Sequence, residues 1–389
     1  MSSGLVVAHL DHTSERGGAE MALARMLNAQ PEWSPRLLLP RKRADEVDIF
    51  AMCASTSVQR LGPRQPAGAS KSAGARAAGM FATRLLGQSA AIRFSSALRG
   101  VDVVHANSTR SAVYGAIALT GLQRGFVVHL RDMVTPDALG TTGHRLFTQV
   151  ALRRADAVIA NSSSTLESAQ EYLHPRTQQY VVASASGLRR LPEAAKVSPQ
   201  VRSVGMVARI DQWKGQHLLI EAFARADAST DCRLRLAGAT PFGAESHLRE
   251  LAALASSLGV ADRVEFLGHV EDVNGFIDTL DICVQASVRA EPLGQNVLQY
   301  LARGKPTLVA NAGGPAEWIR DGQNGVTFQM GSASDLAQKL RTLMQDRTLR
   351  TRVARGALNT AGLDDDSTIM QQHAEVFRGV ARARGVEVS

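Results

Sequence analysis

Short apolar runs that end abruptly in polar residues recur along this chain, each followed by a segment of helical periodicity. No other feature restricts the fold as strongly. GLVVAHL (4–10) leads through RGGAE (16–20) into AEMALARMLNA, and PRLLLP (35–40), VDVVHANS (101–108), GFVVHLRD (125–132) and ADAVIANSS (155–163) repeat the pattern. An apolar run without polar alternation marks a strand buried on both faces, the situation in a parallel sheet covered by helices. Strand, turn and helix in series predict a doubly wound α/β domain. Such sheets bind ligands beyond the carboxyl ends of their strands, so the strand-end residues Asn107, Arg131, Asp132 and Asn161 are expected to face one cleft.

The pattern occurs twice. PEAAKVSPQ (192–200), proline-flanked and poor in apolar residues, reads as a linker. After it come SVGMVAR (203–209), CRLRLAGA, RVEFLGHV, DICVQAS and KPTLVA (305–310) as strands, with GQHLLIEAFARA and ESHLRELAALASSLG as helices. Two α/β halves suit a chain of 389 residues, at roughly 100–200 residues per domain.

Charge and cysteine usage narrow the function. The formal charge is +8, and no acidic residue occurs from Ile49 to Val101, where Arg60, Arg64, Lys71, Arg76, Arg84, Arg93 and Arg99 are basic. A one-signed stretch attracts nucleic acid, acidic lipid or a phosphorylated substrate, or is simply a solvated surface. Aromatic residues do not interleave with these charges, which disfavours base stacking. Cys53, Cys232 and Cys283 are far apart and lack metal-ligand spacing. No disulfide framework is expected, which suits a reducing cytosol. The start, MSSGLVVAHLDH, lacks the features of a signal peptide. No apolar run reaches the ~18–20 residues of a membrane span, so any membrane contact is expected to be peripheral. GPRQPAGASKSAGARAAG (62–79) is expected to form a mobile loop leading into a basic helix.

Five motifs carry candidate chemistry. VARIDQWKG (207–215) ends a strand at Arg209 and places Lys214 five residues on. A guanidinium can grip a pyrophosphate through two bonds and an ammonium adds a point charge, each charged bond worth ~1.5–3 kcal/mol. Alone, the pair is better read as a surface Arg and Lys in a loop. In EPLGQNVLQYLARGKP a helix is expected from near Gly294 to Gly304. Its first-turn amides (Gly294, Gln295, Asn296) can bind an anion, Glu291 can accept from sugar hydroxyls, and Gln299 can reach a ribose. The same spacing fits a solvated Glu and a helix-surface Gln. Gly313-Gly314, after a strand, permits close backbone approach to a ligand or is plain turn chemistry. Gly17 and Gly18 offer amides at a helix start, without the GxGxxG pattern of a dinucleotide site. His129 and Arg131 share one strand face with Asp132 at its end, a cluster that can position a substrate, or in which His129 is merely buried. Asp364, Asp365 and Asp366 precede a helix, where acids cap and offset the dipole, and no metal is assigned to them.

The order of these segments resembles that of the GT4-type family of retaining glycosyltransferases, whose GT-B fold sets two Rossmann-like doubly wound domains face to face across an interdomain cleft. The resemblance covers most of the chain, is strongest from about 203 to 325 and is loosest from 41 to 100, where acceptor-binding segments of such enzymes vary. It implies an acceptor-binding domain at 1–190, a nucleotide-sugar-binding domain at 200–366, and a final helix at 367–389 crossing back to the first domain. Glu291 matches the first member of the family's Glu-x7-Glu signature, which contacts the donor sugar. The second position is Gln299, whose bonds to a ribose would lack charge assistance. Many members carry His-Asp where this chain has Arg131-Asp132, and arginine cannot act as a base near neutral pH. By resemblance, Arg209 and Lys214 hold the donor diphosphate and the amides of Leu293, Gly294, Gln295 and Asn296 support the β-phosphate and sugar. The backbone near His269 and Val270 meets the base, and Gly17 and Gly18 approach the phosphate. His129, Arg131 and Asp132 join Arg209, Lys214 and Glu291 as candidate catalytic residues. Fixed positive groups take the place of a metal ion, so neither metal nor further cofactor is implied.

The expected protein is a cytoplasmic or membrane-peripheral glycosyltransferase. It would move a sugar from a UDP- or GDP-sugar to an acceptor hydroxyl with retention, in glycan, polysaccharide or glycoconjugate synthesis. The cations of 41–100 fit a lipid-diphosphate-linked or other anionic acceptor. A sugar-nucleotide 2-epimerase, a non-catalytic nucleotide-sugar-binding protein and a nucleic-acid binder are the alternatives.

Overall fold

The computed structural model describes residues 4–53, 56–65, 75–193, 197–226, 231–240 and 245–386. Residues 66–74 of the segment read as a mobile loop, and 194–196 of the linker, lie outside the described residues. The chain divides into two compact units, Met1–Ser186 with Asp364–Ser389, and Gly187–Leu363.

The first unit holds strands β1 (Val6–Leu10), β2 (Ser34–Leu39), β3 (Ser57–Arg60), β4 (Val103–Ala106), β5 (Gly125–Leu130), β6 (Ala157–Ala160) and β7 (Gln178–Val181). They form one parallel sheet in the order β3-β2-β1-β4-β5-β6-β7. Alternate side chains serve two cores, as the two-residue period of a strand demands. Ala8, Leu10, Val104, Ala106, Val128 and Leu130 pack into one; Val7, Val103 and Val127 into the other. The second core is covered by the helix Asp366–Ala383, which packs on β4, β5 and the helix Gly18–Asn28. Its Ile369, Met370, Phe377 and Val380 are buried, each worth ~1.5–3 kcal/mol on area grounds. Asp365 caps it, its carboxylate accepting from the Thr368 amide at 2.7 Å.

The second unit holds β8 (Ser203–Val207), β9 (Arg233–Ala237), β10 (Val264–Gly268), β11 (Ile282–Gln285), β12 (Thr307–Ala310) and β13 (Val326–Phe328), ordered β10-β9-β8-β11-β12-β13. Its pairs are also parallel. The interior strands of both units match the apolar runs of the sequence. The strands β3, β7 and β13 are sheet edges and were not expected. Ser57–Arg60 and Gln178–Val181 are polar and only part-buried, so they carry no apolar signature.

This strand order places a switch point in each unit. The chain winds outward from β1 through β2 and β3, then returns to place β4 on β1's other side; in the second unit β8 and β11 stand in the same relation. Crevices at the carboxyl ends of such strand pairs are where doubly wound sheets bind ligands.

Candidate functional site

At the β8/β11 switch point a cation meets a carboxylate. Asp211 accepts from the Trp213 amide and starts a short turn, Gln212–Lys214, that leads into the helix Gln216–Arg225. Gly215 joins them at φ 77°, and a Cβ there would run into the Ala286 carbonyl at the end of β11. The turn is thereby held against β11, and Gln216 Nε2 donates to the Arg209 carbonyl at 2.8 Å. Lys214 Nζ reaches Glu291 Oε2 at 2.8 Å, with both side chains largely buried (17% and 6% exposed). The other carboxylate oxygen accepts from Gln285 Nε2 at 2.9 Å and from the Ser287 hydroxyl. Burial pushes the Glu291 carboxyl up, but the Lys214 charge and the bonds from Lys214, Ser287 and Gln285 outweigh it and hold it below the usual carboxylate range.

Arg209 lies just before the turn, 56% exposed, its guanidinium 3.1 Å from Asp211. The Lys214 ammonium and the Arg289 guanidinium stand over the Trp213 ring, at 4.0 and 4.4 Å from its centroid. The helix Gln295–Ala302 opens at Gly294, whose φ of 74° accommodates the turn from the buried Leu293. Asn296 Nδ2 donates to the Val207 carbonyl at 3.0 Å, and Tyr300 Oη accepts from the Val207 amide at 2.7 Å. These bonds fix the helix N-terminus to the end of β8. Gln299 is half-buried on this helix, and His269 and Val270 follow β10, the first exposed and the second half-buried.

The Gly313-Gly314 pair has a different neighbour from the ligand allowed for above. A Cβ on either would strike the backbone of residues 290–293, and Glu291 forms an isolated bridge with Gly313. The glycines make room for the Glu291 loop itself.

The β1/β4 switch point of the first unit carries a second polar group. Asp11, fully buried, accepts from Asn107 Nδ2 at 2.6 Å and from the His12 amide at 2.7 Å. His12 Nδ1 lies 2.9 Å from Ser108 Oγ and 3.3 Å from Asp11 Oδ1. Arg131 donates to Asn107 Oδ1 at 2.8 Å and to the Ser184 hydroxyl at 2.6 Å. Burial brings its pKa down to about 10, against the pull of Asp11 and Glu20. Asp132 is exposed beside it. Gly17 caps the helix that Gly18 begins, and a Cβ on Gly17 would collide with the Glu20 carboxyl. Glu20 is 7% exposed, and burial, then the nearby Asp11 charge, raise its pKa to about 7. Ligand atoms of Asp11, His12 and Glu20 lie within 4.8 Å of one another, close enough for a cation. Arg131 already supplies positive charge to both acids.

Two expectations need correction. His129, read as a residue able to position substrate, is 1% exposed and enclosed beneath the Asp366–Ala383 helix. Trp33 Nε1 donates to His9 Nε2 at 3.0 Å, so His9 Nδ1 donates to His105 Nδ1 at 2.9 Å and His105 Nε2 to His129 Nδ1 at 3.3 Å. His373 of the helix stacks on His129, ring centroids 5.4 Å apart. Contact with a substrate is closed to His129. The basic stretch is also less available than its composition implies: Arg60 pairs with Asp48, Arg64 pairs with Glu46, and Arg93 donates to the Ala118 and Thr120 carbonyls. The partners of the first two lie just upstream of the acid-free stretch. Lys71 lies outside the described residues, as does the side chain of Arg76.

Asp11, His12, Glu20, Gln285, Ser287 and Arg289 were not singled out from sequence. Their signal was position: each ends or follows an interior strand, or lies in or beside a motif already noted.

Both units resemble known proteins. The family of glycosyl transferases group 1 matches residues 192–360, and that of glycosyl transferase 4-like domains matches 17–185. A lipopolysaccharide core biosynthesis glycosyltransferase of Rhizobium meliloti, LpsE, is 32% identical over 209 residues, 52% of this chain and 58% of LpsE. The chain thus spans little more than half the length of that relative. A D-inositol 3-phosphate glycosyltransferase of Nocardioides is 27% identical over 317 residues, 71% of this chain and 67% of the relative. Among solved structures, Anabaena HepE in complex with UDP superposes with a TM-score of 0.79 at 25% identity, covering 96% of this chain and all of that one. Sucrose-phosphate synthase of Thermosynechococcus elongatus gives 0.80 at 18% identity over 97% and 100% of the chains, a likeness of fold alone.

Proposed function

The chain belongs to the GT4-type glycosyltransferases, and from that premise we propose that it transfers a sugar from a nucleotide diphosphate sugar to an acceptor hydroxyl, with retention at the anomeric carbon. The observation that carries this reading is the buried Lys214–Glu291 pair at the β8/β11 switch point, with the exposed Arg209 ahead of it and a helix N-terminus behind. Departure of the diphosphate is the step that needs help, because negative charge grows on its bridging oxygen. Lys214 and the helix N-terminus are held in place before reaction, so they stabilise that charge without reorganising, and the exposed Arg209 adds its charge beside them. The amides of Leu293, Gly294, Gln295 and Asn296 take the β-phosphate and sugar side, and the backbone at His269 and Val270 takes the base. Glu291 anchors Lys214 and keeps an acceptor oxygen for a sugar hydroxyl. Gln299 holds the ribose through uncharged bonds. These groups supply the charge that a metal provides elsewhere.

A UDP-sugar is favoured as donor because HepE, the neighbour at 25% identity, is seen with UDP and with UDP-glucose. The acceptor is read as a glycan or lipid-linked sugar at an anionic membrane surface. No described helix is long and apolar enough to cross a membrane. Exposed large apolar residues nevertheless concentrate in one stretch: Val47, Met52, Val58, Met80, Leu86 and Phe94, six of the nine among the described residues. We read this concentration in the chain as favouring contact with another apolar phase.

Thermal-shift titration with UDP, GDP, TDP and ADP, and then their sugars, tests the reading, since a ligand of the folded state raises the melting temperature. UDP is expected to stabilise the wild type and to lose that effect in Lys214→Ala. Equal shifts in both proteins, or none with any nucleotide, reject the assignment. Product analysis with no acceptor present separates transfer from epimerisation.

A further inference from the structure

The two cations at the β8/β11 switch point bring no surplus charge of their own. Lys214 faces Glu291 and Arg209 faces Asp211, one acid to each. A third cation, Arg289, stands beside them with no part in the donor reading. It lies in the loop between β11 and the helix Gln295–Ala302, two residues ahead of Glu291, and is exposed. Among the described residues no carboxylate is within ion-pair distance of it, and none of its guanidinium donors is bonded to protein. Arg289 is therefore the unbalanced positive charge of this group.

Its position is nevertheless defined. The Arg289 guanidinium lies 4.4 Å from the centroid of the Trp213 ring, and the Lys214 ammonium lies 4.0 Å from the same centroid. The Val288 amide donates to the Trp213 carbonyl at 2.9 Å, which ties the Gln212–Lys214 turn to the loop that carries Arg289. Trp213 is itself half-buried, so the indole is a platform held by its surroundings. Contact with an aromatic face steadies a guanidinium and leaves its N–H fork to be paired. Part of the side-chain entropy that a surface arginine loses on meeting a ligand is thus lost beforehand, which favours binding.

Such a group selects a planar anion. Two parallel N–H bonds to a carboxylate use both the geometry and the charge of arginine, whereas a hydroxyl uses one donor and leaves the charge unanswered. Placement decides which part of a donor carries that anion. On the donor reading the diphosphate is taken by Lys214, Arg209 and the helix start, and Glu291 stands on the sugar side. Glu291 is a weak obstacle to a second carboxylate, because Lys214 neutralises one of its oxygens and Gln285 and Ser287 bond the other. An anion beside Glu291 belongs on the sugar.

We propose that Arg289 is a specificity-determining residue that binds a carboxylate on the donor sugar, so that the preferred donor is a nucleoside diphosphate uronic acid and not the neutral hexose. Arg289 takes no part in bond making or breaking; it positions the sugar ring while Lys214 and Arg209 hold the diphosphate. This role rests on the donor reading above and lies wholly within the second unit.

The test is titration calorimetry on the full chain with free UDP and GDP and with matched donors: UDP-glucose against UDP-glucuronate, UDP-galactose against UDP-galacturonate, and GDP-mannose against GDP-mannuronate. Failure of every nucleotide to bind rejects the donor reading and this role together. Where a nucleotide binds, the wild type is expected to hold one uronate about tenfold more tightly than its hexose, the yield of one charge-assisted pair. Arg289→Gln should bring that ratio to about one through loss of uronate affinity. Arg289→Lys keeps the charge without the fork and should retain part of the preference. Arg289 is exposed, so both variants should melt as the wild type does. Equal affinity for hexose and uronate in every wild-type pair, or a preference that survives Arg289→Gln, overturns the role of Arg289 and leaves the donor reading standing. An equal loss of affinity for the free diphosphate in Arg289→Gln overturns it too, because it puts the guanidinium on a phosphate.

Discussion

Single side chains decide how the proposed donor crevice would work. Lys214 and Glu291 are each other's counter-charge in a poorly hydrated place, so removing one leaves the other exposed to the full cost of burial. Lys214→Ala is expected to lower unfolding free energy by ~3 kcal/mol, the usual scale for stranding a buried charge, as well as to abolish transfer. Urea denaturation reads the first effect and nucleotide release the second; an unchanged midpoint would mean that the pair is not coupled in solution. Gln299→Glu tests the departure from the family's second acidic position. A charged hydrogen bond exceeds a neutral one by ~1 kcal/mol, so nucleoside diphosphate should bind about fivefold more tightly. Weaker binding in calorimetry would place the ribose elsewhere. Lys214, Glu291 and Gln299 were marked as candidates by the resemblance to a known order of motifs, since spacing alone fits surface residues as well. The bonds from Gln285 and Ser287 to Glu291 were not, since nothing in the spacing of those residues says where their side chains turn.

Elements position these residues, chiefly at their ends. Gly294 sits at φ 74° where the helix Gln295–Ala302 begins, and a Cβ there would press on Pro315. Gly294→Ala therefore combines left-handed backbone strain with a steric clash, each ~1–3 kcal/mol. It should lower the melting temperature and, on the proposed reading that the helix start meets the donor phosphate, raise the donor KM together. A thermal scan with donor saturation curves checks both. Asp365→Ala removes a helix cap and should cost ~1 kcal/mol with little effect on donor KM; a loss several times larger in chemical denaturation would show that the acid does more than cap. Interior strands and capped helices were readable because burial on both faces and polar caps leave local marks. The edge strands β3 and β7 were not, because one open side lets polar residues in.

At the scale of the molecule, the row of imidazoles sets a limit on acid tolerance. Burial, with the neighbouring His373, brings His9 down to about 3, and burial brings His373 to about 4; His105 and His129 lie well below their ordinary value for the same first reason. A base whose folded pKa is depressed is native in its neutral form. Its contribution is whole above the unfolded value near 6.5 and is lost as pH falls from there toward 3–4. Four such groups give a slope of up to ~5 kcal/mol per pH unit below about 6. Urea midpoints should thus drop steeply between pH 6.5 and 5, and His373→Leu should make the drop shallower. A flat profile would mean that the histidines stay solvated. The second core of the first unit, closed by a helix from the far end of the chain, is the part most exposed to this loss.

Local pattern was enough for two parallel α/β sheets and for most of their strands, because apolar runs, caps and turns act over a few residues; the candidate cations, glycines and acids were marked by the order of segments that the family resemblance rests on. Only the tertiary structure decided which polar groups meet: His129 packed against His373 rather than facing a ligand, Arg60 and Arg64 paired with acids outside their own stretch, Gly313 backed onto Glu291, and His12 brought beside Ser108, 96 residues away. Those contacts follow from the winding of each sheet, which joins strand ends far apart in the chain, and spacing along a sequence holds no record of that distance.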